Sequence, residues 1–83
     1  MKTYELKPIH QKSFYGKAKV HVCDNGDEVL QSYGTLVLTR KQDGTLVRHW
    51  NYWSATTGKH IAAFAGLNKA DYGKLPYEER RYL

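Results

Sequence analysis

The strongest constraint on the fold of this chain is a period of two that runs into a turn. In GKAKVHVC, residues 16 to 23, the apolar Ala18, Val20 and Val22 alternate with Lys17, Lys19 and His21. Side chains of an extended strand point to opposite faces in turn, so this pattern makes a strand with one face for a core and one for water. The next four residues, DNGD, contain Asn25-Gly26, a pair that accepts the positive backbone angles of a tight hairpin. The chain is therefore expected to double back antiparallel into a second strand over residues 28 to 33.

Gly34 permits a bend or bulge, and TLVLT at 35 to 39 reads as a third strand with Leu36 and Leu38 on one face. A second turn signal, KQDG at 41 to 44, leads into TLVRHW, where Leu46, Arg48 and Trp50 share one face and Val47 and His49 the other. The period then changes. Ser54 is a good helix N-cap, Thr57, Ile61, Phe64 and Ala65 fall at helical spacing, and Gly66 is the expected stop. Asn68 caps a second short helical turn that ends at Gly73 and Pro76, and YEERRYL is left to add a fragment of helix or to fray.

The expected class is α+β: an antiparallel sheet of about four strands in two hairpins, with one α-helix on one face and a short C-terminal helical turn. The opposite face is expected to be polar, carrying Lys17, Lys19 and His21. Residues 1 to 13 around Pro8 read as an extended arm with an edge strand at Tyr4 to Lys7, 14 to 67 as sheet plus helix beginning at Phe14, and 68 to 83 as turn and tail. With 83 residues the chain supports one domain, since a chain of this size buries only about 60 to 65 % of its unfolded surface. The lone Cys23 excludes an internal disulfide, and no apolar run serves as a signal peptide or a membrane span, so a cytoplasmic setting is expected. Thirteen Lys and Arg against eight Asp and Glu give a net charge of +5, which favours polyanions or acidic surfaces as partners.

WNYWSATTGKHIAAF, residues 50 to 64, carries most of the chemistry-bearing side chains. Trp50, Tyr52 and Trp53 can form a stacking platform for bases, with Arg48 or Lys59 holding phosphates. They can equally plug the junction between the last strand and the helix, which is the expectation for the two tryptophans, with Tyr52 facing water. SATTGKH lacks the leading glycine of a phosphate loop, and His60 follows Lys59 where a magnesium-binding hydroxyl would be needed. His49, Asn51 and His60 follow the order of a ββα-metal nuclease, but the preceding TRKQ supplies no second ligand. His21, Cys23 and His49 give three of the four ligands of a structural zinc site, with no C-x-x-C pair. Neither Cys23 nor Ser54 has a spacing that argues for a paired base. No catalytic residue, metal or cofactor is assigned.

The segment from Phe14 to Phe64, with FYGKAKV, LQSYGTLV and LVRHWNYWSATTGKHIAAF, resembles an uncharacterised family of small proteins and domains encoded by phages and mobile elements of gut Firmicutes. NKADYGKLP resembles that family's usual ending, while NYW departs from its pattern, in which a glycine is common there. The resemblance implies a shared fold and a genomic setting, and no activity. Small proteins of that setting are often stoichiometric inhibitors or adaptors, such as anti-CRISPR proteins. The chain is therefore expected to be a non-enzymatic binding protein of the bacterial host cytoplasm that engages a host protein or protein–nucleic-acid complex, as an inhibitor of a defence nuclease. The alternative is direct, largely non-specific nucleic-acid binding, with a ββα-metal nuclease as the remote third. The candidate binding residues are Lys17, Lys19, His21, Arg48, Tyr52 and Lys59. No membrane partner is expected, and an exposed edge strand leaves a homodimer open.

Overall fold

The computed structural model describes residues 1–7 and 16–83. The edge strand expected at Tyr4 to Lys7 is found at Lys2–Glu5, while the rest of the expected arm around Pro8 and the expected start of the body at Phe14 lie outside the described residues. The elements in chain order are β1 (Lys2–Glu5), β2 (Ala18–Val22), β3 (Glu28–Ser32), β4 (Thr35–Arg40), β5 (Leu46–Arg48), α1 (Ala55–Ala65) and α2 (Lys69–Gly73). All strands are antiparallel to their neighbours, in the spatial order β1-β2-β3-β4-β5. The α+β class holds, with five strands in place of about four, because Lys2–Glu5 adds to the edge of β2.

The register explains which side chains share a face. One row crosses the whole sheet as Tyr4, Val20, Leu30, Leu38 and Arg48, each the partner of the next. Its central members are fully buried and meet Ile61 and Phe64 of α1 and Tyr72 of α2 in the core. The adjacent row, on the second face, is Thr3, His21, Val29, Thr39 and Val47. That face is not the polar one the sequence led us to expect: Val29, Thr39 and Val47 are buried, and His21 between Thr3 and Val29 is only 7 % exposed. Alternation along β2 placed Lys19 and His21 on the second face correctly. It carried no information about how apolar their cross-strand neighbours are.

β4 departs from simple alternation as well. Leu30 pairs with Leu38 and Gln31 with Leu36, so Val37 is an extra residue on β4. A bulge of this kind turns two successive side chains toward one face. Val37 and Leu38 accordingly both enter the core, and Leu36, expected beside Leu38, is only half-buried.

α1 forms as its sequence dictates. Ser54 Oγ accepts the Thr57 amide at 3.1 Å, and Gly66 ends the helix at φ 71°, a left-handed conformation that glycine adopts without strain. The buried side includes Gly58, where the Trp53 indole lies against the helix: a β-carbon there would stand 2.5 Å from Trp53 Cζ2. Trp50 and Trp53 both pack against the core, so they form the seam between sheet and helix. The far end of α1 is held by Arg40. Its Nε donates to Glu28 Oε1 and its Nη1 to the Phe64 carbonyl, both at 3.1 Å, with the guanidinium 4.4 Å from the Phe64 ring centroid. A cation on a helix C-terminal carbonyl is favourable because those carbonyls have no partner within the helix.

The chain does not turn helical after α2, and its stretch from Pro76 to Glu78 is tied to the sheet. The Arg48 amide donates to the Pro76 carbonyl and the Glu78 amide to the Arg48 carbonyl, both at 2.9 Å, so Tyr77 runs parallel to β5 and covers that edge. No helix among the described residues is long and apolar enough to cross a membrane.

Replacing Gly58 with alanine sets a propensity gain of up to about 1 kcal/mol against overpacking of Trp53, which costs about 1–3 kcal/mol. The clash wins. Gly58→Ala is expected to lower the urea midpoint, whereas Gly73→Ala, with no atom within 4 Å of the added carbon, is expected to leave it unchanged or raise it. Equal midpoints for the two variants would show that the indole does not rest on the helix.

Candidate functional site

The three histidines named from the sequence are each held in the fold by a different set of bonds. The Gln31 side-chain amide donates to the Tyr33 carbonyl at 2.7 Å, which turns its oxygen to His21 Nε2, also at 2.7 Å. Nε2 is therefore the protonated nitrogen, and Nδ1 meets the Thr3 hydroxyl at 2.8 Å. In His49 the tautomer is the reverse. Nδ1 faces the Glu78 carbonyl, which can only accept, so Nε2 accepts the Thr39 hydroxyl at 2.6 Å. His60 Nδ1 lies 2.7 Å from Ser32 Oγ, and that hydroxyl also meets Thr57 Oγ1 at 2.9 Å.

A serine against a histidine invites a nucleophile–base reading, and burial argues against it. Ser32 is 2 % exposed and His60 1 %, so no substrate carbonyl reaches the pair. The nuclease-like constellation does not assemble either. His49 bonds Thr39 on the second face, His60 lies under α1 on the first, and Asn51 accepts Arg48 Nη1 at 2.5 Å instead of orienting an imidazole. Among the described residues no group of three His, Cys, Asp or Glu could hold a metal ion.

Two concavities border β5. The larger, about 340 Å³, lies between the two hairpin turns and the tail and mixes signs: Asp27, Asp43 and Glu78 against Lys41 and Arg80. Its charges already have partners. Lys41 pairs with Glu78 at 3.5 Å, Asp27 accepts the Gln42 amide, and Asp43 accepts the Thr45 amide. The smaller, about 140 Å³, opens at the seam between β5 and α2. Trp53 and Tyr72 line it together with Arg48, Asn51, Tyr52 and Lys69, and no carboxylate does.

Each wall of this recess has a structural reason for its position. Tyr72 is buried with its ring 5.8 Å from that of Trp53, and its hydroxyl donates toward the Val37 and Trp50 carbonyls at 3.0 and 2.7 Å. Burial pushes that phenol up to about 12, so it stays a donor at any physiological pH. Arg48 Nε donates to the Leu75 carbonyl at 2.8 Å, which with the Asn51 bond fixes the guanidinium at the edge of the recess, near the Tyr77 ring. Tyr52 is 70 % exposed and leans on Trp50, ring centroids 5.8 Å apart, which leaves much of its surface open.

Of the residues proposed from the sequence, the recess brings together Arg48 and Tyr52. Lys17 lies elsewhere, exposed, with its ammonium 5.8 Å from the Tyr33 ring. Lys19 is half-buried in β2 opposite Gln31, His21 is buried, and Lys59 is exposed on α1 outside the recess. Sequence reasoning missed Lys69 and Tyr72 as site residues. The available signal was the Asn68 cap, which places Lys69 at the first position of α2, but nothing local shows that α2 returns to β5.

His49 and His60 supply a test of the buried networks. Burial is the main cause that lowers both from their ordinary value of 6.5. The Arg80 and Lys41 charges add to it at His49, against the Glu78 backbone bond and charge, and the Lys17 charge adds to it at His60. A group with a depressed folded value binds fewer protons when folded, so its stability is complete above the unfolded value and is lost as pH falls. Urea midpoints are expected to hold steady from pH 8 down to about 7 and to drop between about 6.5 and 5, before most carboxylates titrate. A midpoint that rises over that lower interval would contradict the assigned neutral imidazoles.

No curated protein and no solved structure matches this chain. Residues 4–80 match the family of unknown function DUF8033, in keeping with the uncharacterised family expected from the motifs. That span is most of the sequence and includes every residue of the recess, and the chain belongs to that family.

Proposed function

We propose that this chain is a small non-enzymatic binding protein of phage or mobile-element type that engages a macromolecule of its bacterial host. The observation that carries the reading is the contrast at the seam. His21, His49, His60 and Ser32, side chains whose types can do acid–base or nucleophilic work, are bonded inside the fold, while Tyr52 and the adjoining cations stand open to a partner. Inhibition of a cytoplasmic defence nuclease is the form of engagement that fits a stoichiometric binder with no chemistry of its own.

Direct contact with nucleic acid is the second reading, and the lining of the recess favours it. Two cations, two exposed or half-exposed aromatic rings and no acid make a surface for an anion that carries rings. The two readings meet in a protein–nucleic-acid complex. A chain of net charge +5 has the same sign as a nuclease's nucleic-acid channel, so the nucleic-acid part of such a complex is the part it attracts.

The test is capture of host components on the tagged protein from a bacterial lysate, with and without nuclease treatment, using wild type and Tyr52→Ala. A partner retained after nuclease by wild type and lost by the variant supports the first reading. A partner that nuclease removes supports the second, and its affinity should fall linearly with the logarithm of salt concentration as counterions are released. Equal capture by wild type and variant in both arms would count against the seam as the binding surface.

A further inference from the structure

We propose that the recess between β5 and α2 is a single-nucleotide site for single-stranded nucleic acid, in which one base lies against Tyr52 and the flanking phosphates meet Arg48 and Lys69. The inference rests on the nucleic-acid reading above and assigns its site. Size is the first argument. A recess of about 140 Å³ is well under the ~300–1,000 Å³ of sites that enclose a small molecule, so it suits one planar ring of a longer ligand. Chemistry is the second. Trp53 and Tyr72 supply an apolar floor, Asn51 a polar group, and Tyr52 an open aromatic surface for stacking.

Charge selects among ligands that carry a ring. Both ionised groups at the recess are cations, so a partner that presents an aromatic side chain beside lysines or arginines is repelled, and a sugar-phosphate chain is attracted. Arg48 is rigid, held by the Leu75 carbonyl and Asn51, and acts as a fixed charge. Lys69 is exposed at the start of α2 and can follow a phosphate. Duplex nucleic acid does not fit the same surface, because its bases are already stacked and paired and cannot turn out into a recess without unstacking. Discrimination among bases is not expected, since each base has a face to stack.

Fluorescence anisotropy tests the assignment with four probes: a labelled single-stranded oligothymidylate, an abasic strand with the same number of phosphates, a duplex, and a polyglutamate peptide. The proteins are wild type, Tyr52→Ala, Tyr52→Phe, Lys69→Ala and, as a charge control at the far edge of the sheet, Lys2→Ala. Tyr52 and Lys69 are exposed, and thermal midpoints check that the variants stay folded. The oligothymidylate should bind tightest. Tyr52→Ala should weaken it about tenfold or more, Tyr52→Phe should restore it, and Lys69→Ala should reduce the salt slope by about one while Lys2→Ala changes affinity less. Binding of the abasic strand equal to that of the oligothymidylate, or indifference to Tyr52→Ala, would sink the base site and leave the nucleic-acid reading standing. Absence of oligonucleotide binding at low salt would sink both. Tyr52-dependent binding of polyglutamate with no oligonucleotide binding would assign the recess to an acidic protein partner and overturn the proposal.

Discussion

The Val37 carbonyl, in the bulged stretch of β4, faces the end of β5 inside the molecule, one step beyond the last pair of those two strands. A carbonyl left without a donor there costs about 1–3 kcal/mol, enough to matter in a protein of this size. Two donors converge on it, the His49 amide at 2.7 Å and the Tyr72 hydroxyl at 3.0 Å. The same hydroxyl reaches the Trp50 carbonyl, so one side chain joins the bulge, the end of the last strand and α2. Desolvation makes the arrangement durable, because it keeps the phenol protonated and so always a donor. Trp53 then fills the space between Tyr72 and Gly58, and the helix has one seat on the sheet. The recess beside Tyr52 is what remains open when those pieces are in place.

The polar interior follows the same logic of mutual satisfaction. Among the described residues, no buried side-chain nitrogen or oxygen is without a hydrogen-bond partner. Two threonines, three histidines and a serine sit inside a small fold because strand register and helix docking bring complementary groups together. Thr3 and His21 are direct cross-strand partners, and Thr39 is opposite Val47, two residues before the His49 it bonds. Such pairs contribute modestly in net terms, about 1 kcal/mol each, but removing one partner strands the other at greater cost. They specify the fold more than they stabilise it.

Local signals in the sequence were sufficient where the structure is local. Asn25-Gly26 and Asp43-Gly44 announce two turns, and the two glycines take φ of 93° and 90°. Ser54 and Gly66 mark the ends of α1, and Asn68 marks α2. What the sequence could not show depends on partners far along the chain. Whether His21 faces water is decided by Thr3 and Gln31, and whether the tail frays is decided by bonds from Pro76 and Glu78 to Arg48. Arg40 read as an unremarkable member of TRKQ until α1 brought the Phe64 carbonyl above it. The site divides the same way. Arg48 and Tyr52 were legible because Tyr52 belongs to the aromatic cluster and Arg48 lies just before it, whereas Lys69 and Tyr72 reach it only through the return of α2.

Arg48 shows why the recess and the tail are one problem. Its backbone amide and carbonyl hold Pro76 and Glu78, and its side chain spans Leu75, Asn51 and the Tyr77 ring. A guanidinium committed to two neutral acceptors keeps its full charge while losing freedom, so it presents a fixed positive potential at low additional entropic cost on binding. Tyr52 is preorganised in a similar way, with its ring against Trp50 at an interplanar angle of 60° and its other side exposed. The flexible element is Lys69. On the nucleic-acid reading proposed above, a site made of one rigid cation, one supported ring and one exposed lysine suits a repeating chain of rings and anions better than a compact ligand, because such a chain can engage the fixed pair in register and let the lysine adapt to the next charge.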